Sequence, residues 1–185
     1  RGFCQMGRFH SIEVEDNVTA YLEFAGGATG VFVTSTGETP GTNRFEIAGE
    51  KGRLVLEHGR ISFVRNEQSM FEFSRSSGAG FARPEVWNVD VPFDPSGAQH
   101  HLIVQNFVDA ILGGARLVAP ATEGVASVEL ANAILYSSLI GQTVELPLDG
   151  AAYARKLDQL IAESRHEKVV AQVAPEDFTQ SFNRQ

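Results

Sequence analysis

From Asp16 the chain reads DNVTAYLEF, which sets Val18, Ala20, Leu22 and Phe24 on one side of an extended backbone and Thr19, Tyr21 and Glu23 on the other. A period of two marks a half-buried strand. Ala25-Gly26-Gly27 follows, and its glycines can take the positive φ of a tight reversal. Residues 28–35, rich in Val and Thr, return as the second arm of a hairpin. Gly37, Pro40 and Gly41 make 36–42 a loop. Strands are then predicted over 43–48, 53–57 and 61–65, with turns at 49–52 and 58–59. Another strand is predicted over 70–74, where Phe71 and Phe73 share a side. After a small-residue loop at 76–84 comes a strand over 86–93, where Trp87, Val89, Val91 and Phe93 alternate. Seven successive strands on short turns imply a largely antiparallel sheet.

The period changes after Asp94-Pro95-Ser96. Leu102, Ile103, Phe107, Ala110 and Ile111 have helical spacing over 97–112, and Gly113-Gly114 ends the run. Thr122 is a candidate N-cap for a helix over 123–140 with Glu123 in its first turn. That helix is apolar or small on most sides, so burial is expected. Residues 143–148 read as one more strand. A last helix over 151–164 carries Tyr153, Leu157, Leu160 and Ile161 on one face. Strands first and helices second predict an α+β fold, an open, mostly antiparallel sheet with helices packed on one face. The expected organisation is a single domain over 1–165 and a polar C-terminal tail over 166–185. Tyr21, Phe32 and Val55 are read as lying on the sheet face opposite Val18, Ala20 and Leu22. A sheet apolar on both faces, with too few helices to cover both, predicts a homodimer through the open face.

Composition narrows the function classes. The 185 residues include 23 acidic and 15 basic side chains, a formal net charge of -8, which argues against a chain built mainly to bind nucleic acid. No apolar run approaches the roughly 18 residues of a membrane-spanning helix. The single cysteine, Cys4, can form neither an internal disulfide nor a cysteine-rich zinc site, and a reducing, cytoplasmic setting is expected. The chain opens Arg1-Gly2-Phe3-Cys4 without Met, and it is expected to be part of a longer polypeptide.

Candidate chemistry is sparse. No GxGxxG turn joins a strand to a helix, so no cofactor-binding residue is assigned. The histidines His10, His58, His100, His101 and His166 show no HxxxH or HExxH spacing, so no metal site is assigned. No serine sits in a GxSxG elbow, and Ser137-Ser138 reads as a packing pair. Glu13, Glu15 and Asp16 form either a solvated strand entry or a pocket rim. Three substrate-pocket candidates remain. Arg44 closes the 37–44 loop and could hold an anionic or hydroxyl-rich ligand. His100 and His101 could line a pocket at the start of their helix. No catalytic residue is assigned.

Four segments together resemble the C-terminal domain of Gfo/Idh/MocA-type oxidoreductases. They are EDNVTAYLEFAGGATGVF from Glu15, FEIAGEKGRLVLE from Phe45, NFVDAILGG from Asn106 and EGVASVELANAILYSSLIGQTVELPLD from Glu123. Their order and spacing agree as well, and the similarity runs from about Ile12 to Arg165. The resemblance implies a missing N-terminal Rossmann domain holding NAD or NADP, and a C-terminal domain that contributes to the substrate pocket and to dimerisation. It implies hydride transfer at a hydroxyl of a sugar, inositol or related polyol, with the present chain inactive alone. The family's Glu-Lys-Pro segment and its Asp-x-x-x-His helix are absent. His10 does not fill the latter motif, since Met6 stands four positions before it. A free-standing, non-catalytic binding or dimerisation module is the alternative.

Overall fold

A computed structural model describes residues 1–92 and 100–165. In chain order the elements are β1 (Gly2–Gly7), β2 (Asn17–Glu23), β3 (Thr29–Ser35), β4 (Arg44–Gly49), β5 (Gly52–Glu57), β6 (Arg60–Asn66), α1 (Met70–Ser76), β7 (Val86–Asp90), α2 (His100–Gly113), α3 (Ala121–Ile140) and α4 (Gly150–Glu163). Every strand pairing is antiparallel, so the α+β class holds. The described residues form two compact units, 1–37 with 126–165, and 38–92 with 100–125.

The first unit is a three-stranded sheet in the order β1-β2-β3, with one face under α3. Register places Cys4 opposite Ala20, and Ala20 opposite Phe32. Cys4, Val18 and Ala20 are buried there, with Met6 and Ile134 packed against them. The contact surfaces are small on both sides, Ala20 from the sheet and Ala133 and Ser137 from the helix. Small side chains let a helix backbone approach a sheet closely, and the Ser137 hydroxyl uses that closeness to accept from the Cys4 amide at 3.1 Å. The opposite face, with Tyr21, Val31 and Val33, is exposed. Asp149 caps α4 by accepting from the Ala152 amide at 3.0 Å. Tyr153 of α4 meets Tyr136 of α3 edge to face, with ring centroids 5.8 Å apart.

The second unit is a four-stranded meander, β4-β5-β6-β7. Ile47, Leu54, Phe63 and Val89 follow one another across the ladder and share a face, while Arg44 and Glu57 share the other. His58 and Gly59 both have positive φ, 51° and 66°, as the two-residue β5–β6 hairpin requires. Gly52 has φ 143°, and a Cβ there would stand 2.2 Å from the Val64 carbonyl oxygen. The Arg65 guanidinium lies over the Trp87 ring, 5.3 Å from its centroid.

Several expectations are corrected. Residues 70–74 form α1 instead of a strand, because Ser69 accepts from the Glu72 amide and caps a helix. Residues 143–148 form a single bridge, Gly2 to Val144, instead of a strand; Pro147 offers no amide to extend it. Phe32 lies on the same face as Ala20, since directly opposed residues share a face. The sequence reading also missed β1 entirely. Helix α3 begins at Ala121, which puts Thr122 in its first turn instead of at its cap. Strand β7 ends at Asp90, so 91–92 do not extend it as expected; Phe93, the expected helix start at 97–99 and the polar tail at 166–185 lie outside the described residues.

Candidate functional site

Arg44 opens β4, and the cross-strand register sets it opposite Glu57. Its Nη1 donates to Glu57 Oε2 at 2.7 Å, and its Nε donates to Glu46 Oε2 at 3.2 Å. Glu46 also faces Arg53 at 3.9 Å. Hydrogen bonding to Glu46 raises the hold of Arg44 on its proton, and the same bond keeps the Glu46 carboxyl below the usual carboxylate range. The guanidinium is thus already matched by two carboxylates. An incoming anion would have to displace one of them, whereas a hydroxyl could donate to the carboxylates and leave the pairs in place.

His100 and His101 begin α2, and both are exposed. Consecutive helix positions diverge by about 100°, so the two rings do not converge on one point. Among the described residues no hydrogen bond or ion pair joins Arg44 to either histidine. The described residues also hold no group of three or more His, Cys, Asp or Glu able to bind a metal.

Two grooves in the first unit escaped the sequence reading. One, of about 620 Å³, is lined by Leu22, Phe24, Leu130, Ile134 and Leu146, with Arg1 and Glu23 paired at 2.5 Å on its rim. The other, of about 690 Å³, lies between the loop after β1 and helices α3 and α4, with Val14, Leu135, Leu157 and Ile161 in its wall. Their walls come from segments far apart in sequence, so no local motif announces them. Glu13 and Glu15 line the second groove, which favours the rim reading for these two. Asp16 does not belong to a solvated entry, because its side chain is only 2% exposed. It accepts from the Phe9 amide at 2.8 Å, from the His10 amide at 2.7 Å and lies 2.6 Å from His10 Nδ1. Burial alone would raise this carboxyl. The backbone amides of His10 and Phe9 and the His10 ring outweigh it and leave the group below its ordinary value. Asp16 therefore clamps the 8–15 loop. Burial pushes the Cys4 thiol up, which leaves it a packing group instead of a nucleophile at neutral pH.

The profile of the oxidoreductase family C-terminal alpha/beta domain, Gfo/Idh/MocA, matches residues 5–146. The chain belongs to this family. No protein with a curated description matches it. Among solved structures, the WlbA dehydrogenase from Chromobacterium violaceum, in complex with NADH and UDP-GlcNAcA, is 26% identical with a TM-score of 0.58; the match covers 80% of this chain and 40% of that one. An NAD-binding protein from Listeria innocua is 17% identical at TM-score 0.58, covering 78% and 40%. An oxidoreductase domain protein from Kribbella flavida is 19% identical at TM-score 0.56, covering 79% and 44%. The latter two support the Gfo/Idh/MocA fold. The chain spans about two fifths of the length of all three proteins. Among the described residues no helix is long and apolar enough to cross a membrane.

Proposed function

We propose that this chain is the substrate-binding and oligomerisation part, a single α+β domain over 1–165, of an NAD(P)-dependent oxidoreductase. The observation that carries this reading is the family match over 5–146, joined to a 26% identical dehydrogenase that holds NADH and a sugar nucleotide. The substrate is a sugar, inositol or related polyol. Its carbinol carbon gives a hydride to the oxidised nicotinamide and its hydroxyl gives up a proton, leaving a carbonyl. A Rossmann domain encoded before Arg1 holds the NAD or NADP. Arg44, His100 and His101 serve the substrate side, where the Arg44–Glu46–Glu57 cluster suits hydroxyl groups. The exposed sheet face bearing Tyr21, Val31 and Val33 joins two copies. The free, buried Cys4 thiol is at home in a reducing cytoplasm.

The test compares two proteins. The chain alone, given NAD or NADP and a panel of polyols and sugars, produces no reduced cofactor. The longer polypeptide read from the upstream frame does. Turnover by the chain alone, or an upstream frame that encodes no dinucleotide-binding strand–turn–helix, overturns the assignment. A strictly monomeric mass at high concentration overturns the sheet-face dimer.

A further inference from the structure

Strand β3 is an edge of the three-stranded sheet, and among the described residues no strand pairs with its outer side. In an antiparallel ladder, alternate residues turn their backbone groups to opposite neighbours. The Phe24 amide donates to the Ala28 carbonyl and the Thr36 amide to the Asp16 carbonyl, so the even-numbered residues of β3 bond to β2. Thr29, Val31, Val33 and Ser35 therefore direct their amides and carbonyls outward. Sheet edges are commonly blunted by charge, proline or a bulge. In the meander, the edge strand β4 carries Arg44 and Glu46, and the edge strand β7 carries Asp90. Strand β3, TGVFVTS, has neither charge nor proline, and its register with β2 runs without a bulge. Val31, Phe32 and Val33 are 71%, 46% and 57% exposed.

We propose that β3 pairs with β3 of a second copy of this chain, antiparallel about a twofold axis at Phe32, so that two three-stranded sheets become one. The strand is complementary to itself in that register. Val31 lies opposite the partner's Val33 and Thr29 opposite the partner's Ser35, so every outward amide and carbonyl of the strand is matched. A shift by one residue sets outward groups against inward ones, and a shift by two leaves groups unmatched at both ends. Phe32 meets its own copy at a position without ladder bonds, where opposed side chains come closest, and valine meets valine on either side of it. No like charges face each other, because the strand has none. The axis is normal to the sheet, so both copies of α3 lie on one side and the two faces bearing Tyr21 run together on the other. Edge pairing is therefore a contact separate from the sheet-face dimer, and it does not rest on the dehydrogenase reading.

Solution mass and amide exchange of the full chain test it. The mass doubles between about 1 µM and about 1 mM, the range of a small interface. Over that range exchange at Val31 and Val33 slows about tenfold, while Gly30, Phe32 and Thr34, bonded to β2, stay slow throughout. Val33→Pro removes an outward amide and spares the β2 ladder; it holds the chain as a single copy with the even-numbered amides still slow. Val31→Lys with Val33→Lys also gives a single copy, because like charges then oppose across the seam, and Val31→Lys with Val33→Glu restores the doubled mass. Tyr21→Lys, on the sheet face away from the seam, leaves the pairing intact. A single copy at about 1 mM overturns the proposal. So does slow exchange at Val31 and Val33 in the single copy, since β3 would then be covered from within the chain. A doubled mass that survives Val33→Pro and is lost in Tyr21→Lys overturns it too, in favour of the sheet face.

Discussion

The two sheets are built from comparable strands but kept in order by different means. In the three-stranded sheet, alternate residues of β2 are buried, and Cys4, Val18 and Ala20 close against a helix. In the four-stranded meander no strand contains a buried residue, although Phe45, Ile47, Leu54, Phe63 and Val89 share one face. Its order rests on ladder hydrogen bonds, on turn geometry at Gly52 and His58-Gly59, and on the Arg44 charge cluster. A packed interface is damaged by changing a side chain that fills it. A ladder without one is damaged most by changing a backbone that cannot bend.

The two regions carry separate reporters, because the only tryptophan, Trp87, is in the meander and all three tyrosines are in the other unit. The largest effect is expected from Gly52→Ala. Its added Cβ meets a backbone oxygen at a φ that L residues rarely adopt, and the expected cost is about 3 kcal/mol. The Trp87 fluorescence midpoint in denaturant should fall while the tyrosine signal holds. Equal shifts in both signals would show one cooperative body and break the contrast.

Ser137→Ala should act the other way round. It leaves the buried Cys4 amide without its acceptor, at a cost of about 1–2 kcal/mol, and the tyrosine transition alone should move. A shift confined to Trp87 would reverse the account of which interactions hold which unit.

The smallest effect concerns the Asp16 clamp. Its carboxyl is depressed in the folded chain, so the stabilisation is complete above the ordinary aspartate value of about 4 and is lost as pH falls through the lower folded value. Exchange at the Phe9 and His10 amides should therefore quicken in acid beyond the normal pH trend. Asp16→Asn should remove that extra sensitivity. Acid sensitivity persisting in Asp16→Asn would assign the clamp elsewhere.

Strands β2 to β6 were legible because each pairs alternating side chains with glycine-bearing turns. Helices α3 and α4 were legible from spacing long enough to exclude a strand. Strand β1 was not, since GFCQMG is short, glycine-flanked and defined by its partners in β2. Helix α1 was mistaken because Phe71 and Phe73 mimic alternation over too few residues; the decisive signal, Ser69 three positions before Glu72, was present in the sequence. At the candidate site, the position of Arg44 at a loop exit was legible. Its neutralisation was not, because Glu46 and Glu57 join it only through register. The Asp16 clamp and both grooves depend on side chains brought together by folding.

Ser137 has a consequence for how this sheet can grow. With Val144 exchanging backbone bonds with Gly2 and the Ser137 hydroxyl occupying the Cys4 amide, the outer margin of β1 is already stitched down. Among the described residues the far margin, along β3, has no such hem. Among the described residues the open selvedge for an additional strand is along β3, because the Val144 bridge and the Ser137 hydroxyl together close the margin of β1.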